Sequence, residues 1–299
     1  SMLKEQLLIS LNQYFCYIML NMIIWIASYP KSGNTLLRSI LTALIYTEDG
    51  NVDFNKLLHI ENFPPARDLE KFTDKFNNIN EVYKYSLEVQ KQINKNKKLK
   101  IFKTHSSKCT INGEPFTDEQ NTVGAIYVVR DPRDVLISAS SYFNSSFEET
   151  KNIMFEKKTI IATAENHHKP ISTLVGSWSD HYNSWINNSR NILLIKYESL
   201  ILNKELEIFR ILNFINSFKS FHVSEKKIKN IINSSSFENM VEMEKKGLFK
   251  ENSRDKNGKD IKFFNSGKAG IWKEKNLNKE ILENIEQEFY TEMLELKYI

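Results

Sequence analysis

A chain of 299 residues with 41% hydrophobic content carries enough apolar side chain for one large α/β core or two small ones, which excludes disorder of the whole. Its net charge of +4, from 41 Lys+Arg against 37 Asp+Glu, is too small and too evenly spread for a nucleic-acid footprint but suits a pocket for a small polyanion. Two cysteines, Cys16 and Cys109, cannot build a disulfide framework, and no C-x-x-C or His/Cys cluster marks a zinc site, so a reducing, cytoplasmic setting without a structural metal is expected.

Residues 7–26 are apolar enough to raise the question of a membrane span or signal, since spanning needs about 20 predominantly apolar residues. Asn12, Gln13 and Asn21 interrupt the run, and neither a basic flank nor a small-residue cleavage site accompanies it, so neither is expected. Residues 1–21 read as a weakly structured N-terminal extension, with Ser1 a tag remnant and Met22 able to serve as a natural start. Residues 22–299 contain no internal repeat and no Pro/Gly/Ser-rich linker, which predicts a single domain.

Four aliphatic, β-branched or aromatic runs bounded by polar turns, at 22–27, 99–103, 125–129 and 192–196, predict buried parallel strands. Helical patterns at 35–46, 133–144 and 175–187 alternate with them, which predicts an α/β fold with helices on both faces of a central parallel sheet. The polar segments 61–73, 147–171 (with His167 and His168) and 244–260 are expected as loops, and loops on a rigid scaffold commonly carry selectivity.

The first strand runs into Tyr29-Pro-Lys-Ser-Gly-Asn-Thr35 and directly into a helix. There a loop can aim backbone N–H groups and a helix N-terminus at an anion. Pro30 and Gly33 shape the turn, Lys31 supplies a cation, and Ser32, Asn34 and Thr35 offer short polar groups. A plain capped strand-to-helix turn fits the same residues. The Walker A pattern is absent.

The second strand ends in Lys103-Thr-His105. A histidine just past a strand's C-terminal end, where open α/β sheets build their sites, can accept a proton near neutrality, its ordinary pKa being about 6.5. A purely structural histidine remains the alternative. The third strand delivers Arg130, followed by Asp131-Pro-Arg-Asp134 and, two turns into the next helix, Ser138. Arginine gives planar, charge-assisted bonds suited to phosphate, although an ion pair with Asp131 or Asp134 would also account for it. Trp178 and Trp185, seven apart, read as helix packing, and His181 as structural. Near the C-terminus, Gly267 and Gly270 permit close backbone approach to a phosphate, or a simple turn before the last helix.

Taken in order, these segments resemble the PAPS-dependent sulfotransferases, the cytosolic type in particular, where PAPS is 3′-phosphoadenosine-5′-phosphosulfate. The residues 29–35 are similar to the family's Y-P-K-S-G-T/N-T-W, 103–105 to K-T-H, 130–138 to R-[ND]-P-[KR]-D-V…S, 175–200 to G-S-W…H…W…K-Y-E-D-L, 235–240 to T-S-F-x-x-M, and 265–273 to R-K-G-x-x-G-x-W-K. The resemblance implies that Lys31 meets the bridging oxygen of the phosphosulfate while Ser32, Gly33, Asn34 and Thr35 hold the 5′-phosphate. It implies His105 as general base, Lys103 at the transferring group, Arg130 and Ser138 on the 3′-phosphate with Gly267 and Lys268 nearby, Tyr197 and Ser235 at the adenine, and Phe237 stacking on it. Leu36 replaces the family's tryptophan, and Asn265 and Ser266 replace its Arg and Lys, so donor binding is expected to be weaker.

The function so implied is in-line sulfuryl transfer from PAPS to a hydroxyl or amine of a small-molecule acceptor, releasing PAP (3′,5′-phosphoadenosine), with no metal and no nucleic-acid or membrane partner. Segments 54–67, 83–85, 142–147 and 244–260 are expected to line the acceptor pocket. The alternatives are an ATP-dependent small-molecule kinase and a non-catalytic phosphoadenosine-binding protein. The K-x-x-x-T-V-x-x-x-E dimer pattern is not reproduced after Trp272, and oligomeric state stays open.

Overall fold

Alternation of side chains along four short aliphatic runs generates the central sheet. In a computed structural model, which describes residues 23–163, 170–249, 262–264, 267–275 and 277–299, these runs are β1 (Ile23–Ser28), β2 (Lys100–Thr104), β3 (Thr122–Val129) and β4 (Ile192–Lys196). They pair in the order β2-β1-β3-β4, all parallel. Successive residues point to opposite faces: Ile24 and Ile26 of β1 enter one core with Ile101, Ile126, Val128 and Ile195, while Ile23, Trp25 and Ala27 enter the other with Phe102, Tyr127 and Val129. All six residues of β1 are buried, as a strand covered on both faces requires.

Helix α1 (Asn34–Tyr46) follows β1 and packs on the first face with Lys204–Asn216 and Glu225–Ser234. On the second face lie α2 (Pro132–Phe143), α3 (Trp178–Ile186) and α4 (Lys279–Glu288). Asp131 caps α2 by accepting the Arg133 N–H, with Pro132 at the first helical position, the arrangement in which a missing N–H costs nothing. Trp178 and Trp185 of α3 are each at most 1% exposed, so they serve packing as expected.

Two expected loops are structured. Within 147–171 the chain forms a helix, Phe147–Phe155, opened by a reciprocal Ser146/Glu149 capping box, and then an antiparallel hairpin of Ile160–Thr163 with Ile171–Leu174. Within 61–73, the Lys103 N–H donates to the Glu61 carbonyl (2.9 Å) and the Phe63 N–H to the Lys103 carbonyl (3.0 Å), so this segment sits beside β2 and fixes Lys103. The extension 1–21, His167 and His168, Asn265, Ser266 and most of 244–260 lie outside the described residues. Among the described residues no helix is long and apolar enough to cross a membrane.

Candidate active site

Because all four strands are parallel, their C-terminal ends share one edge, and the loops after β1, β2 and β3 bring Lys31, His105 and Arg130 to it. Gly33 opens α1 with φ 103°, and no side chain caps the helix. The first intrahelical bond runs from the Leu37 N–H to the Gly33 carbonyl (3.1 Å), so the amides of residues 34–36 have no intrahelical acceptor. Ser32 Oγ, fully buried, has no hydrogen-bond partner among the described residues, and neither does the buried Arg130 Nε. Orphaned buried donors at one helix N-terminus are what an anion would satisfy. Asn34 is used otherwise: its amide donates to the Ile26 carbonyl (3.3 Å) and Ser28 Oγ (3.2 Å), tying the helix start to β1. Thr35 is also buried, and its carbonyl accepts the Ser39 hydroxyl.

Lys31 has a left-handed backbone, φ 64°. Its ammonium lies 4.0 Å from the Tyr142 ring centroid and 3.9 Å from that of Phe263. Burial, reinforced by the neighbouring Arg130 charge, pulls its pKa down to about 7, against the opposing pull of Glu244. The Glu244 carboxylate also accepts the Phe263 and Phe264 N–H groups (2.6 and 3.2 Å), which holds Phe263 over the lysine.

Arg130, 5% exposed, stands at the junction. It donates to the carbonyls of Lys31 (3.3 Å) and Lys268 (3.4 Å), lies 3.7 Å from Asp134 Oδ2, and covers the Tyr197 ring at 4.3 Å. The carboxylate of fully buried Asp134 accepts the N–H groups of Gly270 (2.7 Å) and Trp272 (3.0 Å), so it hangs the glycine loop beside Arg130. Asp131 is bound by the Arg133 guanidinium, which covers the Trp272 ring at 3.9 Å. Ser138 is half-buried one turn beyond Asp134 on α2.

The remaining expected donor-site residues have different duties. A Cβ built on Gly267 would come within 2.0 Å of Phe237 Cδ2, so the Phe237 ring lies directly on the glycine loop. Ser235 is buried, with its hydroxyl donating to the Ile231 carbonyl (2.6 Å) and its own carbonyl accepting Lys204 Nζ (2.7 Å). Lys268 sends its main-chain carbonyl to Arg130, while its exposed ammonium pairs with Glu274 at 3.3 Å.

His105 Nδ1 lies 2.8 Å from the Ser28 carbonyl oxygen. A carbonyl only accepts, so Nδ1 carries the proton and Nε2 keeps its lone pair. Burial pulls the pKa to about 4, helped by the charges of Lys103, Arg38 and Lys31 and opposed by the bond to Ser28. The imidazole is therefore neutral at pH 7 and able to take a proton at Nε2. Two expected pocket residues prove to be core: Tyr83, 1% exposed, donates its hydroxyl to the Ser107 carbonyl, and Phe54 is buried against Phe249 and Phe264.

The family profile described as Sulfotransferase domain matches residues 22–297. The chain belongs to the sulfotransferase family. The sulfotransferase chain is similar to the amine sulfotransferase of Oryctolagus cuniculus, with 26% identity covering 92% of this chain and 83% of that one, and to cytosolic sulfotransferase 7 of Arabidopsis thaliana, with 27% identity covering 82% and 71%. In fold it resembles the mouse sulfotransferase SULT7A1 complexed with PAP, with TM-score 0.56 and 18% identity over 92% of this chain and 84% of that one. Membership of an enzyme family of this class sets aside both the kinase and the non-catalytic alternatives.

Proposed function

We propose that this sulfotransferase moves the sulfuryl group of PAPS to a hydroxyl or amine of a small-molecule acceptor, with His105 as general base. What carries the donor assignment is the pair of orphaned buried donors, Ser32 Oγ and Arg130 Nε, beside a helix start with uncapped amides. Ser32, Gly33 and Thr35 with those amides would hold the 5′-phosphate. Arg130 and Ser138, with the glycine loop at Gly267, would hold the 3′-phosphate, and Phe237 and Tyr197 would meet the adenine. Asn34 contributes through its backbone N–H, since its side chain is committed to β1. Ser235 would shape the adenine site by ordering the Phe237 helix start. The SULT7A1 neighbour's complex with PAP supports this choice of nucleotide.

In the reaction the bond from sulfur to the bridging phosphate oxygen breaks as the acceptor oxygen or nitrogen bonds to sulfur from the opposite side. The acceptor proton passes to His105 Nε2, and the electron pair of the broken bond leaves on PAP. Lys31 and Lys103 stabilise the charge on the leaving oxygen and the transferring group, so catalysis is chiefly positioning and electrostatics. This transfer needs no metal ion. Similarity to the rabbit amine sulfotransferase supports keeping amines in the acceptor class.

The first experiment is thermal stability against rising PAP, with ADP and ATP as controls. A ligand at about 100 times its dissociation constant adds about 2.7 kcal/mol. Selective stabilisation by PAP supports the donor assignment and justifies an acceptor screen with PAPS, whereas a response to ATP or ADP alone defeats it. Once an acceptor is found, unchanged turnover in His105→Ala removes His105 as the base.

A further inference from the structure

His181 and Tyr127 are buried, titratable and unused by the reaction above. His181 is 0% and Tyr127 1% exposed. Tyr127 Oη lies 2.8 Å from His181 Nδ1, and His181 Nε2 lies 3.1 Å from the carbonyl oxygen of His105. Since a carbonyl is only an acceptor, Nε2 must carry the His181 proton. Nδ1 is then the acceptor, and the Tyr127 hydroxyl donates to it. The ring packs edge-on to Tyr29, in the loop after β1, with centroids 5.8 Å apart.

His181 thus touches the loops after β1 and β2 through Tyr29 and His105, and the body of β3 through Tyr127. The backbone at 105–107 has left β2 and lacks ladder partners for its carbonyls, which must find donors elsewhere. Trp185 Nε1 serves the Ser106 carbonyl (2.9 Å) and Tyr83 Oη that of Ser107 (3.0 Å). The His181 bond differs in acting on residue 105 itself, opposite the Ser28 contact that sets the ring's tautomer.

We propose that His181 is a positioning residue that holds the His105 main chain so that its ring keeps Nδ1–H on the Ser28 carbonyl and presents Nε2 to the acceptor. The proposal rests on His105 being the base. It gives His181 no proton to transfer. Any side chain able to place an N–H at the Nε2 position is sufficient, which separates the role from core filling.

Glutamine and asparagine divide the two ring nitrogens. His181→Gln carries an amide N–H near the Nε2 position and reaches the His105 carbonyl. His181→Asn reaches only as far as Nδ1, keeping Tyr127 and losing His105. Tyr127→Phe removes a buried hydroxyl of the same network but leaves the donor at the carbonyl.

The readout is long-range 1H–15N correlation of the histidine rings in the full-length 15N-labelled chain at pH 7.5, with the His105 signals identified by their loss in His105→Gln. Wild type, H181Q and Y127F show His105 as a single Nδ1–H tautomer. H181N shows averaged or broadened ring signals from a mixture of tautomers. Survival of the single tautomer in H181N overturns the proposal, as does its loss in H181Q or Y127F. Stabilisation by PAP, measured on the same samples, reports the donor site separately: its absence in wild type defeats the donor assignment without altering how the His105 signals are judged.

Discussion

The Tyr197 ring occupies the space that a side chain on residue 33 would need: a Cβ built on Gly33 would lie 2.4 Å from Tyr197 Cδ2. Since Gly33 also has φ 103°, Gly33→Ala meets both a backbone penalty, on the order of 1–3 kcal/mol, and a clash with a ring that supports Arg130. The variant should melt several degrees lower and bind PAP at least about tenfold more weakly, equivalent to about 1.4 kcal/mol. Part of its stability cost should vanish in a Tyr197→Ala background, as coupled neighbours require. Additivity of the two melting shifts would show that Tyr197 is not the obstacle.

Asp134 supports the glycine loop by accepting two backbone N–H groups. In Asp134→Ala those partly buried donors lose their acceptor, at up to about 1–3 kcal/mol each. Calorimetric titration should find PAP affinity reduced at least about tenfold. Lys268→Ala removes only an exposed ion pair with Glu274, worth about 0–1 kcal/mol, and should change affinity by less than about fivefold. The reverse ranking would mean that the Lys268 side chain, rather than the hung loop, supplies the contact.

Proton uptake on binding should betray Lys31. With its pKa pulled down to about 7, the amine is mostly neutral at pH 8, and a bound phosphate anion favours its charged form. Binding therefore takes up a proton, and affinity from this group falls as pH rises above 7. Titrations at pH 8 in buffers of different ionisation enthalpy should show uptake approaching one proton in wild type and near zero in Lys31→Gln. Equal uptake in the two proteins would place the titrating group elsewhere.

Acid should destabilise the fold before the carboxylates titrate. Burial lowers His105 to about 4 and His181 to about 3, while an unfolded histidine titrates near 6.5. Between these values the unfolded chain binds more protons, so stability is fully present above about pH 6.5 and declines as pH falls, by up to about 1.36 kcal/mol per unit for each group. Denaturant melts from pH 7.5 to 5.0 should show this slope, reduced by one group's share in H181Q. An unchanged slope in H181Q would show that His181 does not titrate in this way.

The sheet and the three loops at its edge were legible because apolar runs and strand-end chemistry are local in sequence. What the sequence concealed depends on distance. Asp134 reads as an ion-pair partner of Arg130, and only the fold brings Gly270 and Trp272 onto its oxygens. Tyr83 looked like pocket lining until its hydroxyl met the Ser107 carbonyl in the core. Ser235 matched an adenine contact by pattern, yet its hydroxyl caps its own helix. The helix at 147–155 announced itself through Ser146 and Glu149, a signal outweighed by the segment's polarity. His181 reads as structural from its place on a packed helix, but one residue pattern does not show which carbonyl its ring meets.

Parallel strands that deliver the loops of Lys31, His105 and Arg130 to one edge leave the opposite edge, among the described residues, away from all three. There the turns before β3 and β4 carry exposed groups such as the Arg190–Glu119 pair at 3.8 Å. Such exposed turns tolerate insertions best. A reporter domain or immobilisation anchor grafted at residues 95–98 would stand a full strand length from His105, giving a handle for the acceptor search that leaves the donor loops untouched.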